Sequence, residues 1–339
     1  MEWEELISIK NLYTAWCDFS HGKRDKRDVQ IFEASLEDEL WNLHSDLKQG
    51  VYAHRGYTEF RIHDPKERVI HKATVRDRIV HRLVYNELLP MFHKRWLDCS
   101  FSCRPAFGQH RSVRYVRQMI VQASRNYRAP CTVVKLDIQK FFEHIDHEVL
   151  LKLLSRRVSD LCMRELLSKI VTSHSDSSIT GLPIGNLTSQ IFANVYLHEL
   201  DWFVKHSLRQ KFYARYADDF LCLVFSDTEA QKYITDVSKF LTERLRLTVH
   251  PRKIIVRTVE QGIDWLGIVL LDGYSVLRPA TRARMFRRVT SLMHVVGNET
   301  ARVQSVFGSY SGLLQGVACW RSDRALRQTI ALTDACALK

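Results

Sequence analysis

Asp137, Asp218 and Asp219 are the side chains of this sequence best suited to act together. The last two adjoin within residues 212–225 (FYARYADDFLCLVF), with apolar runs of strand character on both sides. Carboxylates buried side by side in a low dielectric do not both stay ionised unless something neutralises them. A divalent cation is the usual remedy. If Asp137 ends a neighbouring strand, three carboxylates converge on one sheet edge, an oxygen-only site suited to Mg2+. Such a site points to phosphoryl transfer in which two ions stabilise the attacking and leaving oxygens. Taken alone, an Asp-Asp pair is more often a plain solvated turn, so the surrounding elements decide.

Residues 131–137 (CTVVKLD) are rich in β-branched side chains and end in a carboxylate, which predicts a strand presenting Asp137 at its C-terminal edge. The two runs around Asp218-Asp219 stand at hairpin spacing, with the Asp pair as the turn. Ser226 and Glu229 match a capping box, predicting a helix that carries Tyr233, Val237, Phe240 and Leu241. Helical periodicity also marks residues 1–48, 74–96, 146–154 and 189–205, and a basic helical tail follows Pro279. An extended piece is expected at 57–63, and a strand pair at 254–258 and 265–271.

Composition narrows the class. With 50 Lys+Arg against 38 Asp+Glu the formal charge is +12, and 45% hydrophobic residues can bury a substantial core. A basic folded surface suits a polyanion such as nucleic acid. Arg76, Arg78, Arg82, Arg111, Arg114 and Arg117 are candidate phosphate contacts; Trp3, Trp16, Trp96 and Trp202 could stack on bases, although core packing is the commoner role for such residues and the better reading of each. The eight cysteines are scattered, and Cys99 and Cys103 lack a second pair to complete a zinc site, so they read as reduced thiols. No stretch approaches the roughly 18 apolar residues of a membrane span, and the N-terminus is unlike a signal peptide. A cytoplasmic protein without a membrane partner is expected.

At this point the residues resemble a family. Tyr216-Ala217-Asp218-Asp219, with an upstream strand ending at Asp137, is similar to the reverse transcriptases of the bacterial group II intron type. The resemblance runs in family order from about residue 57 to about 271: ERVIHKATVRDRIV at 67–80, KLDIQKFFEHIDHEVLL at 135–151, GLPIGNLTSQIFANVYLHELD at 181–201, HPRK at 250–253 and WLG at 265–267. It implies an α/β (α+β) right-hand polymerase fold with fingers, a palm of antiparallel sheet packed on helices, and a short helical thumb. The divisions would be 1–48 for an N-terminal helical extension, 49–275 for fingers and palm, and 276–339 for a basic thumb.

The resemblance implies catalysis by Asp137, Asp218 and Asp219, with metal ligation by Asp137, Ile138, Asp218 and Asp219, two Mg2+ ions and dNTP substrates. Phe142 would wall the sugar against a 2′-hydroxyl, its alternative being a core phenylalanine beside Phe141. Arg61 and Arg68 would grip the triphosphate unless they form only a solvated hairpin. Lys253 would lie near the departing pyrophosphate, and Tyr216 with Ala217 near the primer end. Ile184, Gly185 and Gln190 belong to the turn and helix that hold template and nucleotide.

The sharpest departure is at 184–190. The intron enzymes usually read Gln-Gly-x-x-x-Ser-Pro there, whereas this chain reads Ile-Gly-Asn-Leu-Thr-Ser-Gln. That form resembles the reverse transcriptases of diversity-generating retroelements, which copy a template repeat RNA into cDNA with errors opposite adenine. Replacing an amide by an aliphatic side chain removes polar contacts that discriminate right from wrong pairs. The tail GSYSGLLQGVACW (308–320) resembles the thumb of that group, and the short stretch after the palm leaves no room for a maturase region. The implied partners are template RNA, a cDNA or primer strand, and a basic oligomeric accessory variability protein. A small retron-like or unassigned bacterial enzyme without a mutagenic role, and a non-catalytic RNA-binding scaffold, are the rival readings.

Overall fold

Alternating stretches of 3.6- and 2-residue periodicity fold as a mixture of helices and short strands. The structure, a computed structural model, describes residues 2–63, 67–174, 179–293, 300–315 and 317. Four helices come first: α1 (Trp3–Leu6), α2 (Ile9–Ser20), α3 (Arg27–Glu33) and α4 (Leu36–Lys48). A hairpin of β1 (Tyr57–Ile62) and β2 (Arg68–Ala73) precedes α5 (Val75–His93) and α6 (Gln109–Ala123). Next are β3 (Thr132–Asp137), α7 (Phe141–His144), α8 (His147–Ser155), α9 (Leu161–Val171) and α10 (Leu187–Trp202). Then follow β4 (Tyr213–Tyr216), β5 (Asp219–Val224), α11 (Asp227–Leu245), β6 (Ile255–Thr258), β7 (Ile263–Trp265), β8 (Ile268–Leu270) and β9 (Ser275–Leu277). Helices α12 (Pro279–Met293) and α13 (Thr300–Leu314) complete the described elements.

The sheets have orders β1-β2, β4-β5-β3-β6 and β7-β8-β9. The registers of β1 with β2, β3 with β6, β7 with β8 and β8 with β9 are antiparallel. This is the α/β architecture, antiparallel sheet with helices, expected of the family resembled.

The chain divides into two compact units. The first comprises Met1–Ala106, Leu136–Phe220 and Lys232–Ile254; the second comprises Phe107–Lys135, Leu221–Gln231 and Ile255–Lys339. In the first, α5 packs on α2 and α10. Helix α10 is buried nearly all round, through Ile191, Phe192, Val195, Tyr196, Leu197 and Leu200, and a helix apolar on every face belongs inside a core. Its N-terminus lies two residues ahead of the expected start, and past Trp202 it continues as a π-helical turn, Phe203–Ser207. In the second unit, buried Trp265 donates from Nε1 to Ser112 Oγ at 2.9 Å, so its polar edge is satisfied inside the core.

Other expectations need correction. Residues 254–258 and 265–271 do not pair with each other: β6 joins β3, while β7, β8 and β9 form their own sheet. Leu266 (φ +55°) and Gly267 (φ +83°) both turn left-handed between β7 and β8, the tight hairpin geometry, so the chain reverses within what the pattern reads as one strand. Arg76 is buried, paired with Asp46 and set over the Tyr52 ring. Arg78 pairs with Asp28 and covers Phe19. Neither is free to meet a phosphate. Trp16 and Trp96 are buried, whereas Trp202 is exposed, its ring tilted against that of His206. Among the described residues six cysteines are free thiols, three of them buried. Cys319, Cys336 and part of the 308–320 motif lie outside the described residues. No described helix is long and apolar enough to cross a membrane.

Candidate active site

Strand β3 carries buried Val133, Val134 and Leu136 and delivers Asp137 at its end, as its composition predicts. The backbone there is held from outside the strand. Asp137 O accepts from His250 N (2.8 Å) and Gln139 N donates to Thr248 O (2.9 Å), with Ile138 bridged to Val249 between them. Ile138 is buried, so its backbone alone can serve a ligand. The same segment then turns at Pro251–Lys253, where His250 Nδ1 accepts from Arg252 N at 3.2 Å. This turn brings Lys253 Nζ to 2.5 Å from Asp137 Oδ1.

The second carboxylate pair sits differently from the expectation. The two-residue turn between β4 and β5 is Ala217-Asp218, with Ala217 at φ +52°, and Asp219 is already the first residue of β5. The pair therefore does not share one turn: Asp218 stands at the tip and Asp219 follows on the strand. Strand alternation explains why this helps, because neighbours on a pleated strand point to opposite faces unless the backbone turns between them.

Burial is the main influence on the Asp218 carboxyl, which is pushed up to about 6. A backbone hydrogen bond works against the rise, the negative charges of Asp219 and Asp137 add to it, and Lys253 offsets part. Asp137, Asp218, Asp219 and Lys253 thus act on one another electrostatically within the first unit. Among the described residues no three His, Cys, Asp or Glu side chains are drawn together closely enough to hold an ion. Lys253 is the countercharge on Asp137 in this arrangement. The donor chemistry nevertheless fits a hard cation: carboxylate oxygens only, with the negative charge of Asp218 disfavoured by burial and by its acidic neighbours.

Most of the other expected residues lie on α7, on the turn before α10 and on the hairpin, which are bonded to one another. Phe141 is buried, with its ring 6.5 Å from that of Tyr196. Phe142 is half-buried and meets Phe141 edge-on at 5.3 Å, so of the two it is the ring that reaches the surface. Phe142 O accepts from Leu182 N (2.7 Å), tying α7 to the turn that precedes α10. That turn is stapled to the hairpin: Ile184 O accepts from His71 N (2.9 Å), and Asn186 Nδ2 donates to His71 O (2.9 Å). Gly185 (φ +112°) lies so close beneath β2 that an added Cβ would come within 2.7 Å of Ile70 Cγ2. Ile184 is half-buried and Gln190 is exposed.

Arg61 and Arg68 do not converge. The hairpin register sets Arg61 opposite Val69 and Ile62 opposite Arg68. Residues directly opposite share a face and neighbours along a strand alternate, so the two arginines project from opposite faces of the ribbon. Arg68 shares its face with Ile70, the face that meets Gly185, whereas Arg61 pairs with Glu67 at 2.8 Å. Tyr216 and Ala217 are half-buried beside Asp218.

Two residues escaped the sequence reading. Asn186, nearly fully buried, is half of the staple just described. Arg215 is buried in β4 and forms an ion pair with Asp201 at 2.6 Å. A charged residue inside an apolar strand, one position before Tyr216, was a signal that could have found it.

Comparison with known proteins gives consistent matches. A family model described as "Reverse transcriptase (RNA-dependent DNA polymerase)" matches residues 62–270. Protein YkfC of Escherichia coli strain K12 is 25% identical over 307 residues, covering 76% of this chain and 79% of YkfC. The group II intron-encoded protein LtrA of Lactococcus lactis subsp. cremoris is 26% identical over 215 residues, 61% of this chain and 34% of LtrA. A putative COX1/OXI3 intron 2 protein of Saccharomyces cerevisiae is 19% identical over 275 residues, 62% of this chain and 30% of its own length. The chain spans about a third of the length of these last two relatives.

Proposed function

The chain belongs to the reverse transcriptase family of RNA-directed DNA polymerases, and we propose that it copies a template repeat RNA into cDNA with errors opposite adenine, as the polymerase of a diversity-generating retroelement. The observation that carries the catalytic part is the shared electrostatics of the Asp137 strand end and the Asp218 turn, with Lys253 as their countercharge. Asp137 and Asp218 are the principal metal ligands in this reading, Asp219 the weaker third, and the Ile138 backbone completes the set. Two magnesium ions held there supply charge stabilisation for the oxygens that attack and leave the α-phosphorus of a dNTP.

The chain's own residues do the rest. Lys253, which rests on Asp137 Oδ1, would be the residue to meet the departing pyrophosphate were divalent charge to take its place at the carboxylate. Phe142 fills the space that a 2′-hydroxyl would need. Arg68 meets the triphosphate from the face of the hairpin that rests on Gly185. Ile184 offers the nascent pair an aliphatic surface without a hydrogen bond, so a mismatched pair forfeits little there relative to a matched one. Tyr216 and Ala217 support the primer end. The basic surface holds template and primer, and binding weakens as salt rises. A basic oligomeric accessory protein is the protein partner in this reading, and the cytoplasm its place of action.

A second reading is a small bacterial reverse transcriptase of another group, retron-like or unassigned, with no mutagenic role; the family match fits it equally. Primer extension on a defined RNA template with Mg2+, accessory protein present, separates the two. Expected are cDNA synthesis that Asp218→Asn abolishes, and misincorporation opposite adenine above that at the other bases, which Ile184→Gln narrows. Equal error at all four bases would select the second reading. Identical, null behaviour of wild type and Asp218→Asn would refute polymerisation itself and leave a non-catalytic scaffold.

A further inference from the structure

Arg215 is 1% exposed, and its neighbours use every face of its guanidinium. Nε donates to Asp201 Oδ1 at 2.7 Å; Nη2 donates to Asp201 Oδ2 at 2.6 Å and to Ser100 Oγ at 2.8 Å. Nη1 lies 3.5 Å from Asn194 Oδ1 and donates to Ala217 O at 3.1 Å. The two-point contact with Asp201 fixes the plane of the fork, which a lysine ammonium would not do. Tyr213 donates to the same Asp201 carboxylate at 2.8 Å, and the Arg215 backbone is bonded on both sides, to Cys99 O and Phe101 N. The guanidinium is therefore immobile, and its outermost donor meets the carbonyl of the residue that turns left-handed immediately before Asp218.

That bond closes a short ring over Tyr216. Alanine resists a φ of +52°, and a fixed donor on its carbonyl opposes relaxation of the turn. Neutralising Asp201 would need only a positive charge. The contact with Ala217 is additional to that need, and it links the core of the first unit to the tip that bears the carboxylate.

We propose that Arg215 is a positioning residue, whose guanidinium, locked by Asp201 and Ser100, holds the Ala217 carbonyl so that the turn aims Asp218 at the divalent cation. This rests on the reading of Asp218 as a metal ligand. Outer partners of metal ligands typically change metal affinity or activity by about 10–100-fold when altered.

The test uses the full chain with RNA template and primer, reading Mn2+ affinity by electron paramagnetic resonance beside kcat, KM for dNTP and Tm. Arg215→Lys keeps the charge beside Asp201 and loses the reach to Ala217. It is expected to weaken Mn2+ binding by about tenfold and to lower kcat by a similar factor, with KM unchanged. Adding Ala217→Gly should recover part of both losses, because glycine adopts positive φ freely. Tyr213→Phe removes a bond to Asp201 but none to Ala217, so it should lower Tm and leave Mn2+ affinity and kcat alone. Wild-type Mn2+ affinity and kcat in Arg215→Lys would overturn the proposal, as would losses of both in Tyr213→Phe equal to those of Arg215→Lys. Should Arg215→Lys not fold, Ser100→Ala decides on the same readouts: weaker Mn2+ binding supports the clamp and unchanged binding refutes it. Mn2+ binding that Asp218→Asn leaves intact would instead refute the metal-ligand reading, and the clamp's purpose with it.

Discussion

Replacing Gly185 by alanine tests whether the turn before α10 and the hairpin form one rigid piece. Two costs combine at this position. The backbone stands at φ +112°, where an L side chain is strained by about 1–2 kcal/mol. The new Cβ would also stand 2.7 Å from Ile70 Cγ2, a distance real Cβ atoms do not adopt, and overpacking of this kind costs about 1–3 kcal/mol. The single variant should therefore lose about 2–5 kcal/mol. Ile70→Ala removes the offending methyl. For a half-buried isoleucine its own cost should be about 1–2 kcal/mol, below the range for a fully buried one. In the double variant the overpacking is gone and only the backbone cost and the lost Ile70 burial remain, about 2–4 kcal/mol. The cycle should thus show a favourable coupling of about 1–3 kcal/mol. Chemical denaturation of the four proteins measures this, and Gly273→Ala, at φ +73° with open space around the site, gives a lower bound for the backbone cost without a clash. Steady-state primer extension should show a higher KM for dNTP in Gly185→Ala that Ile70→Ala partly relieves. Additive stabilities, with coupling indistinguishable from zero, would mean that the turn and β2 do not press on each other, and the rigid-piece argument would fail.

Two further outcomes follow from the same frame. Arg68→Ala should raise KM for dNTP by about tenfold or more, while Arg61→Ala, on the opposite face and paired with Glu67, should stay near wild type; steady-state kinetics with equal effects would refute the assignment by face. Burial, with lesser contributions from His54 and Arg78, pushes His81 down to about 3, so the folded chain refuses a proton that the unfolded chain accepts near 6.5. Its contribution to stability is complete above pH 6.5 and is lost as pH falls toward 3, by up to about 1.4 kcal/mol per pH unit. His54 Nε2, 3.1 Å from His81 Nε2, is likewise lowered by burial, against the pull of Asp77, and steepens the same limb. Urea midpoints between pH 4 and 7 should therefore slope less in His81→Gln than in wild type, and parallel slopes would count against this origin.

Wherever the local pattern and the fold agree, the sequence was readable. CTVVKLD could scarcely be anything but a buried strand ending in an acid, and Ser226 does cap α11, accepting from Glu229 N at 3.2 Å. The capping box itself closes one residue early, because Glu229 Oε2 accepts from Phe225 N rather than from Ser226. The misplaced turn at Asp218 has a similar cause: periodicity counts residues between strands, and only the left-handed backbone at Ala217 shows which two they are. Alanine gives no composition signal for that conformation, whereas the Leu266-Gly267 turn carried a glycine that the apolar run concealed. The staple at Asn186 and the face of Arg68 depend on register between distant segments, and no local pattern encodes it.

Charge illustrates the limit most directly. A formal +12 is a total, and a nucleic acid meets only the arginines that the protein does not use itself. Arg76 and Arg78 sit on a helix whose spacing looked ready for phosphates, yet both are bound to acidic residues of the N-terminal helices and lie over aromatic rings. Arg104 donates to the carbonyls of Leu97, Ser100 and Trp96, and burial lowers it to about 10. For Arg76 and Arg104, which are buried, leaving the guanidinium unpaired would cost about 1–3 kcal/mol, so these two are structural by energetic necessity. Of the expected contacts, Arg111 and Arg114 on α6 are exposed, although Arg111 also lies over the Phe107 ring. The buried guanidinium groups of the first unit are thus committed to acidic side chains and backbone carbonyls of that unit, and only the exposed remainder of the positive charge is open to a polyanion.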